Sequence, residues 1–236
     1  MKWNIASECT AFVIICVVFF YARNKNVLPT LRKFLFKICF IVSMFTVSLN
    51  ILTAAVLMNQ SIFSLRACAI INMIYYLTTP ISGISFLIYS FSVLTKDAKK
   101  VLRMSLVGII PTILYLLVVL TNPITHLIFD VIPGVGYVRG PWIMLAFIIP
   151  YYYCIVAFIF SNMRCFDISK TERLTLAAFP VAAFIAIGIQ QLFRSIILSG
   201  SATACVLIII YLTIENKQIS LDALTNVPTR QVLLDM

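Results

Sequence analysis

Seven long apolar segments alternate with short polar breaks along this 236-residue chain. Each segment is close to the ~20 residues that an α-helix needs to cross the hydrocarbon core of a bilayer. The pattern therefore predicts an all-α membrane protein, built as a bundle of seven transmembrane helices. The predicted spans are 4–22, 36–58, 67–95, 102–121, 142–163, 174–193 and 195–214.

The positive charges between these segments predict the orientation of the bundle. Of the 18 lysines and arginines, 14 fall in the C-terminal tail and in the connections after spans one, three and five, and four fall on the other side. Loops rich in Lys and Arg stay in the cytoplasm. We therefore expect the N-terminus outside and the C-terminus in the cytoplasm.

Composition restricts the partners of the chain. Hydrophobic residues make up 62% of the sequence and charged residues 11%, so the lipid bilayer must be part of its solvent. The net charge of +10 then reflects membrane orientation, and we expect no nucleic-acid partner. The connection between the fourth and fifth spans carries Pro133-Gly134-Val135-Gly136 between apolar and aromatic runs. This turn chemistry predicts a small β-hairpin lid within Phe129–Val138.

Several function classes are disfavoured by the spans themselves. Spans two to seven contain no charge apart from Lys37 and Arg103 at their inner edges, whereas pumps, proton-coupled transporters and voltage sensors need ionisable groups within the membrane. Seven cysteines form no C-x-x-C pair, and the sequence has one histidine. We therefore predict no catalytic residue, no metal site and no cofactor in this chain.

Polar and aromatic side chains in the outer half of the bundle form the candidate ligand site. A few polar groups among apolar walls are typical of a small-molecule pocket, although the same groups also hydrogen-bond one helix to another. We expect an outward-facing cavity. Its candidate residues are Glu8, Asn72, Tyr75, Tyr76, His126, Asp130, Arg139, Trp142, Tyr152, Gln190 and Gln191.

Individual members of this set allow more than one interpretation. Glu8 is either exposed at a frayed helix start or buried at the mouth of the cavity. His126 and Asp130 are four residues apart and would share one face of a helix, where the carboxylate orients the imidazole. Trp142 also fits an interfacial aromatic belt.

The tail of the chain resembles the start of a known domain. The residues 222–230 read DALTNVPTR, similar to the D-x-L-T-G-L-P-N-R run that opens GGDEF domains, the diguanylate cyclases. Asn226, Val227 and Thr229 depart from that pattern, and the asparagine replaced by Thr229 helps to bind guanine in the family. The resemblance implies a GGDEF-like output domain cut near its start. Whether that output is an active cyclase, or a degenerate one followed by a phosphodiesterase, stays open.

The membrane part is similar to the seven-helix N-terminal sensor module of bacterial histidine kinases and diguanylate cyclases. Three motifs carry this resemblance: Thr121-Asn122-Pro123 with His126, Gly140-Pro141-Trp142, and the run YLTIEN at 211–216. It implies a receptor in the bacterial inner membrane that binds an unknown small molecule outside and controls cyclic di-GMP signalling. The alternative is a small facilitator-type transporter.

These resemblances divide the chain into three parts. Residues 1–214 form the sensor domain, 215–221 a signalling helix, and 222–236 the beginning of the GGDEF-like domain. We expect the seventh helix to run unbroken from about Ser195 past Glu215. Two copies should then meet as a homodimer through the output domain, because diguanylate cyclases join two GTPs across two domains.

Overall fold

Within the part of the chain that the structure describes, seven helices and one β-hairpin make up the fold. The computed structural model describes residues 4–23, 30–59, 62–133, 135–163, 166, 168–193 and 197–215. The helices are α1 (Ala6–Arg23), α2 (Leu31–Met58), α3 (Leu65–Leu94), α4 (Ala98–Thr125), α5 (Leu145–Asn162), α6 (Lys170–Leu192) and α7 (Ser199–Ile210), and α7 continues as a π-helix over Tyr211–Glu215. The strands are β1 (Phe129–Ile132) and β2 (Gly136–Arg139).

The apolar pattern located all seven helices but misplaced several of their ends. Helices α2, α4 and α6 begin four or five residues earlier than the predicted spans, because polar residues cap their first turns. The Thr30 hydroxyl accepts from the Lys33 amide at the start of α2. At the start of α6, Ser169 and Glu172 form a reciprocal capping box. The predicted join around Arg194 lies outside the described residues.

Membrane-crossing capacity differs among the helices. Helices α2, α3, α4, α5 and α6 are long and apolar enough to span a bilayer, whereas α1 and the α7 segment are apolar but shorter. Seven crossings therefore stay a prediction, as does the orientation.

Five helices close a ring, in the order α2, α3, α5, α6, α7 and back to α2. Helix α1 packs outside the ring against α2 and α7, and α4 packs outside it against α3 and α5. An apolar core fills the end of the ring far from the hairpin, where Phe36, Phe40, Tyr89, Phe91 and Ile210 are buried together. This uneven filling leaves room for a cavity in the half of the bundle that faces the hairpin.

The predicted hairpin is confirmed, and the end of α4 holds it in place. Its strands are antiparallel, with Phe129 opposite Arg139 and Val131 opposite Tyr137. The Asn122 carboxamide is buried and accepts from the amides of Ile128 (2.7 Å) and Phe129 (3.2 Å) while donating to the Phe129 carbonyl at 3.0 Å.

Glycine closes the other edge of the hairpin. The Gly140 amide donates to the Ile128 carbonyl at 2.9 Å, and a Cβ at Gly140 would overlap the Leu127 carbonyl. The Asn122 and Gly140 motifs of the sequence therefore act as the two anchors of the hairpin.

Candidate functional site

A cavity of about 270 Å³ lies inside the ring of five helices, and β2 borders it at one end. Its walls come from α2, α3, α5, α6 and α7 together with the hairpin, and the outer helices α1 and α4 contribute no lining residue among those described. Most of the lining is apolar, with Phe86, Phe147 and Ile187 among the larger side chains. Such a chamber suits a small organic ligand better than a hydrated ion.

One stripe of polar side chains runs along the α2 wall. Its members, at the three- and four-residue spacing of one helix face, are Ser43, Thr46, Asn50 and Thr53. The hydroxyls of Ser43 and Thr53 are buried and have no hydrogen-bond partner among the described residues. A buried polar atom without a partner is unfavourable, so these two hydroxyls are available to a polar group of a ligand or to water.

Aromatic hydroxyls form the wall beneath the hairpin. The hydroxyl oxygens of Tyr76 and Tyr137 lie 2.6 Å apart, and the ring of Phe129 stacks on both tyrosine rings. Burial raises the pKa of the Tyr137 hydroxyl, while its hydrogen bond with Tyr76 and the charge of Arg139 act in the opposite direction. The Tyr137 phenol therefore stays neutral at neutral pH and bridges hairpin and α3 as a hydrogen-bonding group.

Glu8 lies behind the cavity and caps α7 from outside the ring. Its Oε1 accepts from the Gly200 amide at 2.9 Å and from the Ser199 hydroxyl at 3.4 Å. The α7 N-cap residue, Leu198, has no side chain that can cap the helix. The Glu8 carboxylate from α1 therefore accepts from the Gly200 amide, which has no acceptor within the helix, and its negative charge is stabilised by the positive end of the helix dipole. Asn50 joins the network by donating to the Ser199 oxygen at 3.1 Å.

Five of the predicted site residues meet at the cavity. Those residues are Asn72, Tyr75, Tyr76, Arg139 and Gln190. Glu8 is buried, which is one of its two anticipated positions, but it does not itself line the cavity. Its hydrogen-bonding partners Ser199 and Gly200 line the cavity, as does Asn50, which bonds Ser199.

The other five predicted site residues lie elsewhere. His126 and Asp130 pair at 3.2 Å, outside the cavity; they do not share a helix face, because His126 ends α4 with a left-handed backbone and Asp130 is on β1. Trp142 is half exposed and Gln191 does not line the cavity. The Tyr152 hydroxyl donates to the Val107 carbonyl of α4 at 2.7 Å.

Sequence reasoning missed every contribution of α2 and α7 to the cavity lining. Ser43, Asn50, Ser199, Gly200 and Thr203 all line the cavity. The spacing of the polar residues in α2 was a usable signal, because polar residues that repeat on one face of an apolar membrane helix face protein and not lipid.

A charged cluster joins the ends of four helical elements at the opposite end of the bundle. Arg32 Nη1 lies 3.3 Å from Glu172 Oε1, and Arg32 Nε lies 3.1 Å from Glu215 Oε1. The Tyr89 hydroxyl donates to the same Glu215 oxygen at 2.9 Å. The Glu215 side chain is 5% exposed, so the end of the π-helix is fixed by buried charge and not by a surface contact.

Comparison with known protein families identifies a relationship that covers most of the chain. The family described as the N-terminal 7TM region of histidine kinase matches residues 8–219. Searches of curated proteins and of solved structures found no match. The family match and the long apolar helices fit a multi-pass protein of the bacterial inner membrane.

Proposed function

Because the chain belongs to the family of N-terminal 7TM regions of histidine kinases, we propose that it is a receptor that binds a small molecule in its cavity and passes the change through α7 to a cytoplasmic output domain. The family supports a membrane sensor module. The ligand, the outward orientation and the type of output belong to the proposal.

One observation carries the proposal: α7 borders the cavity at one end and enters the charged cluster at the other. Ser199 and Gly200 line the cavity in the first turn of α7. The helical path from them reaches Glu215, which Arg32 and Tyr89 hold. A movement at the first turn can therefore reach the last without crossing a loop.

A ligand must distinguish two positions of α7 to drive this movement. It changes their populations only by as much as its affinities for them differ. Helix shifts of about 1–2 Å are typical of such transitions. The π-helix at Tyr211–Glu215 is suited to absorb or transmit a small shift, because π-type turns break the regular helical bonding and are frequent at functional sites.

The tail favours a GGDEF-type output in cyclic di-GMP signalling. The residues 222–230 lie outside the described residues, so this part of the proposal rests on their sequence, DALTNVPTR. Control of such a domain would bring two copies together, which makes a homodimer part of the proposal. The matched family points instead to a histidine kinase as the second candidate output.

An activity assay of the protein together with its output domain distinguishes these two candidate outputs. We expect membranes that contain it to convert GTP to cyclic di-GMP, or to hydrolyse cyclic di-GMP if a phosphodiesterase follows. Autophosphorylation on histidine without cyclic di-GMP turnover would replace the GGDEF output with a kinase.

A flexible insert tests the relay itself. Two to four glycines placed between Glu215 and Ser220 should abolish regulation by the membrane part, because a flexible linker loses a rotation or a shift. An alanine insert of equal length is the matched control for length and phase. Regulation that survives the glycine insert unchanged would reject the relay and leave the helices as an anchor.

A further inference from the structure

The charge of the cavity lining points to the class of ligand. Among the described residues that line the cavity, Arg139 is the single charged one. The remaining polar lining groups are hydroxyls and carboxamides, and no Asp or Glu lines the cavity within the described ranges. The cavity therefore presents one positive charge, without a negative charge in its lining to balance it.

The hairpin turns Asp130 away from the cavity that Arg139 lines. Residues that oppose each other in a strand pair share a face, so Arg139 lies on the same face as its partner Phe129. Phe129 is buried against the bundle. Asp130 is the next residue along β1 and lies on the opposite face, where it pairs with His126. The hairpin thus presents the guanidinium to the cavity and turns the carboxylate away from it.

The rest of the lining fits an apolar ligand body with one neutral polar group. Ile143, Phe147 and Ile187 provide apolar contacts from α5 and α6. The unpartnered hydroxyl of Thr53 lies on the α2 wall, and that of Ser43 lies about three turns further from the hairpin. A guanidinium at the mouth binds a carboxylate through charge-assisted hydrogen bonds, which are the strong ones.

We propose that the cavity binds a small organic anion whose carboxylate pairs with Arg139 while its apolar body fills the space between α5, α6 and α2. This inference rests on the proposed function, because it names the ligand class of the same cavity. An amine would meet the positive charge of Arg139, and a neutral analogue would leave the guanidinium without a partner.

Three fluorinated probes of similar size test the inference: 4-fluorobenzoate, 4-fluorobenzylamine and 4-fluorobenzyl alcohol. Binding to the protein in phosphatidylcholine nanodiscs is followed by fluorine NMR line broadening, with empty nanodiscs as the background. Ala186 lines the cavity, so Ala186→Trp fills it, and the binding that this variant removes is the cavity component. We expect that component for the benzoate and little or none for the amine and the alcohol.

Variants at Arg139 test the ion pair directly. Arg139 is exposed and on a hairpin edge, so Arg139→Gln should leave the fold intact. We expect Arg139→Gln to weaken cavity binding of the benzoate about tenfold and Arg139→Lys to weaken it less, since the charge is kept but the planar fork is lost.

Three results would overturn the inference. Equal cavity binding of all three probes, or benzoate binding unaffected by Arg139→Gln, would reject the anion while leaving a ligand cavity and the proposed function in place. No cavity component for any probe would also reject the anion. The α7 relay is decided separately, by the distance between spin labels at Leu102 on α4 and Leu212 on the π-helix.

Discussion

The Nε atom of Arg32 lies 3.1 Å from Oε1 of Glu215, which ties the first turn of α2 to the last residue of the π-helix. Arg32 also reaches Glu172 on α6, and Tyr89 of α3 donates to Glu215. Helices α2 and α3 thus contact the end of the π-helix through Glu215, and α6 is joined to the same cluster through Arg32. In the proposed receptor, this cluster sets the resting position of the output end.

Removing the positive charge of Arg32 should release that end. Arg32→Gln leaves the Glu215 carboxylate buried without the cation that it contacts, and breaking a buried pair in this way typically costs about 3–5 kcal/mol of the free energy of unfolding. We expect a lower unfolding temperature and faster hydrogen exchange at Tyr211–Glu215.

Glu172→Gln is the matched control for Arg32→Gln. The Glu172 side chain is 25% exposed, and glutamine keeps an oxygen for the capping box with Ser169. Loss of this more exposed ion pair should cost about 0–1 kcal/mol. Equal effects of the two substitutions would contradict a special role for Glu215.

Gly200 is needed where the Glu8 carboxylate approaches α7. A Cβ at Gly200 would overlap Glu8 Oε2, so Gly200→Ala should displace the cap and lower thermal stability. Gly188 on α6 is the matched control, because the nearest atom to an added Cβ is the Tyr151 hydroxyl at 3.8 Å. Gly188→Ala should be neutral or stabilising, by up to about 1 kcal/mol. The two variants are compared by thermal unfolding in the same detergent. Similar unfolding curves for Gly200→Ala and Gly188→Ala would argue against a stabilising cap of α7 by Glu8.

The buried carboxamide of Asn122 should control the order of the hairpin. Asn122→Ala leaves the amides of Ile128 and Phe129 without their acceptor, at about 1–3 kcal/mol for each buried group left unsatisfied. Hydrogen exchange at these two amides is expected to accelerate. Thr121→Ala is the control, since the Thr121 hydroxyl is exposed and bonds only the Val118 carbonyl of its own helix. Unchanged exchange in Asn122→Ala would mean that strand pairing alone holds the hairpin.

The orientation of the bundle can be tested by labelling single cysteines in intact cells. Phe63 and Val135 are exposed at the hairpin end, and Lys99 is exposed at the other. In a background without reactive native cysteines, an impermeant maleimide should reach Phe63→Cys and Val135→Cys but not Lys99→Cys until the cells are opened. Labelling of position 99 in intact cells would reverse the orientation and place the cavity mouth in the cytoplasm.

The hydrophobic pattern predicted the helices and the hairpin because lipid and turn chemistry impose strong local constraints. A segment of ~20 predominantly apolar residues has few alternatives to a membrane-spanning helix. Pro133 and the neighbouring glycines mark a turn directly. The ends of α2 and α6 were missed because capping by Thr30 and Ser169 is polar and lies outside the apolar run.

The site was predicted only in part, because side-chain partners depend on how the helices rotate against each other. Asn72 and Arg139 line the cavity as expected, whereas the Tyr152 hydroxyl faces α4. Arg32 and Glu215 were both assigned to the cytoplasmic side from the charge distribution. Their contact follows from the closure of the ring, which no local pattern in the sequence specifies.

Distance measurement between spin labels tests the central claim, that the cavity controls the output end of α7. Labels at Leu102 on α4 and Leu212 on the π-helix occupy exposed positions at that end. In a cysteine-free background that folds, Ala186→Trp fills the cavity, and Ala178→Trp adds the same side chain to an exposed position of the same helix. The account predicts a shift of about 1–2 Å in the mean distance with Ala186→Trp and none with Ala178→Trp. Identical distance distributions for the two variants and the unmodified protein would contradict it.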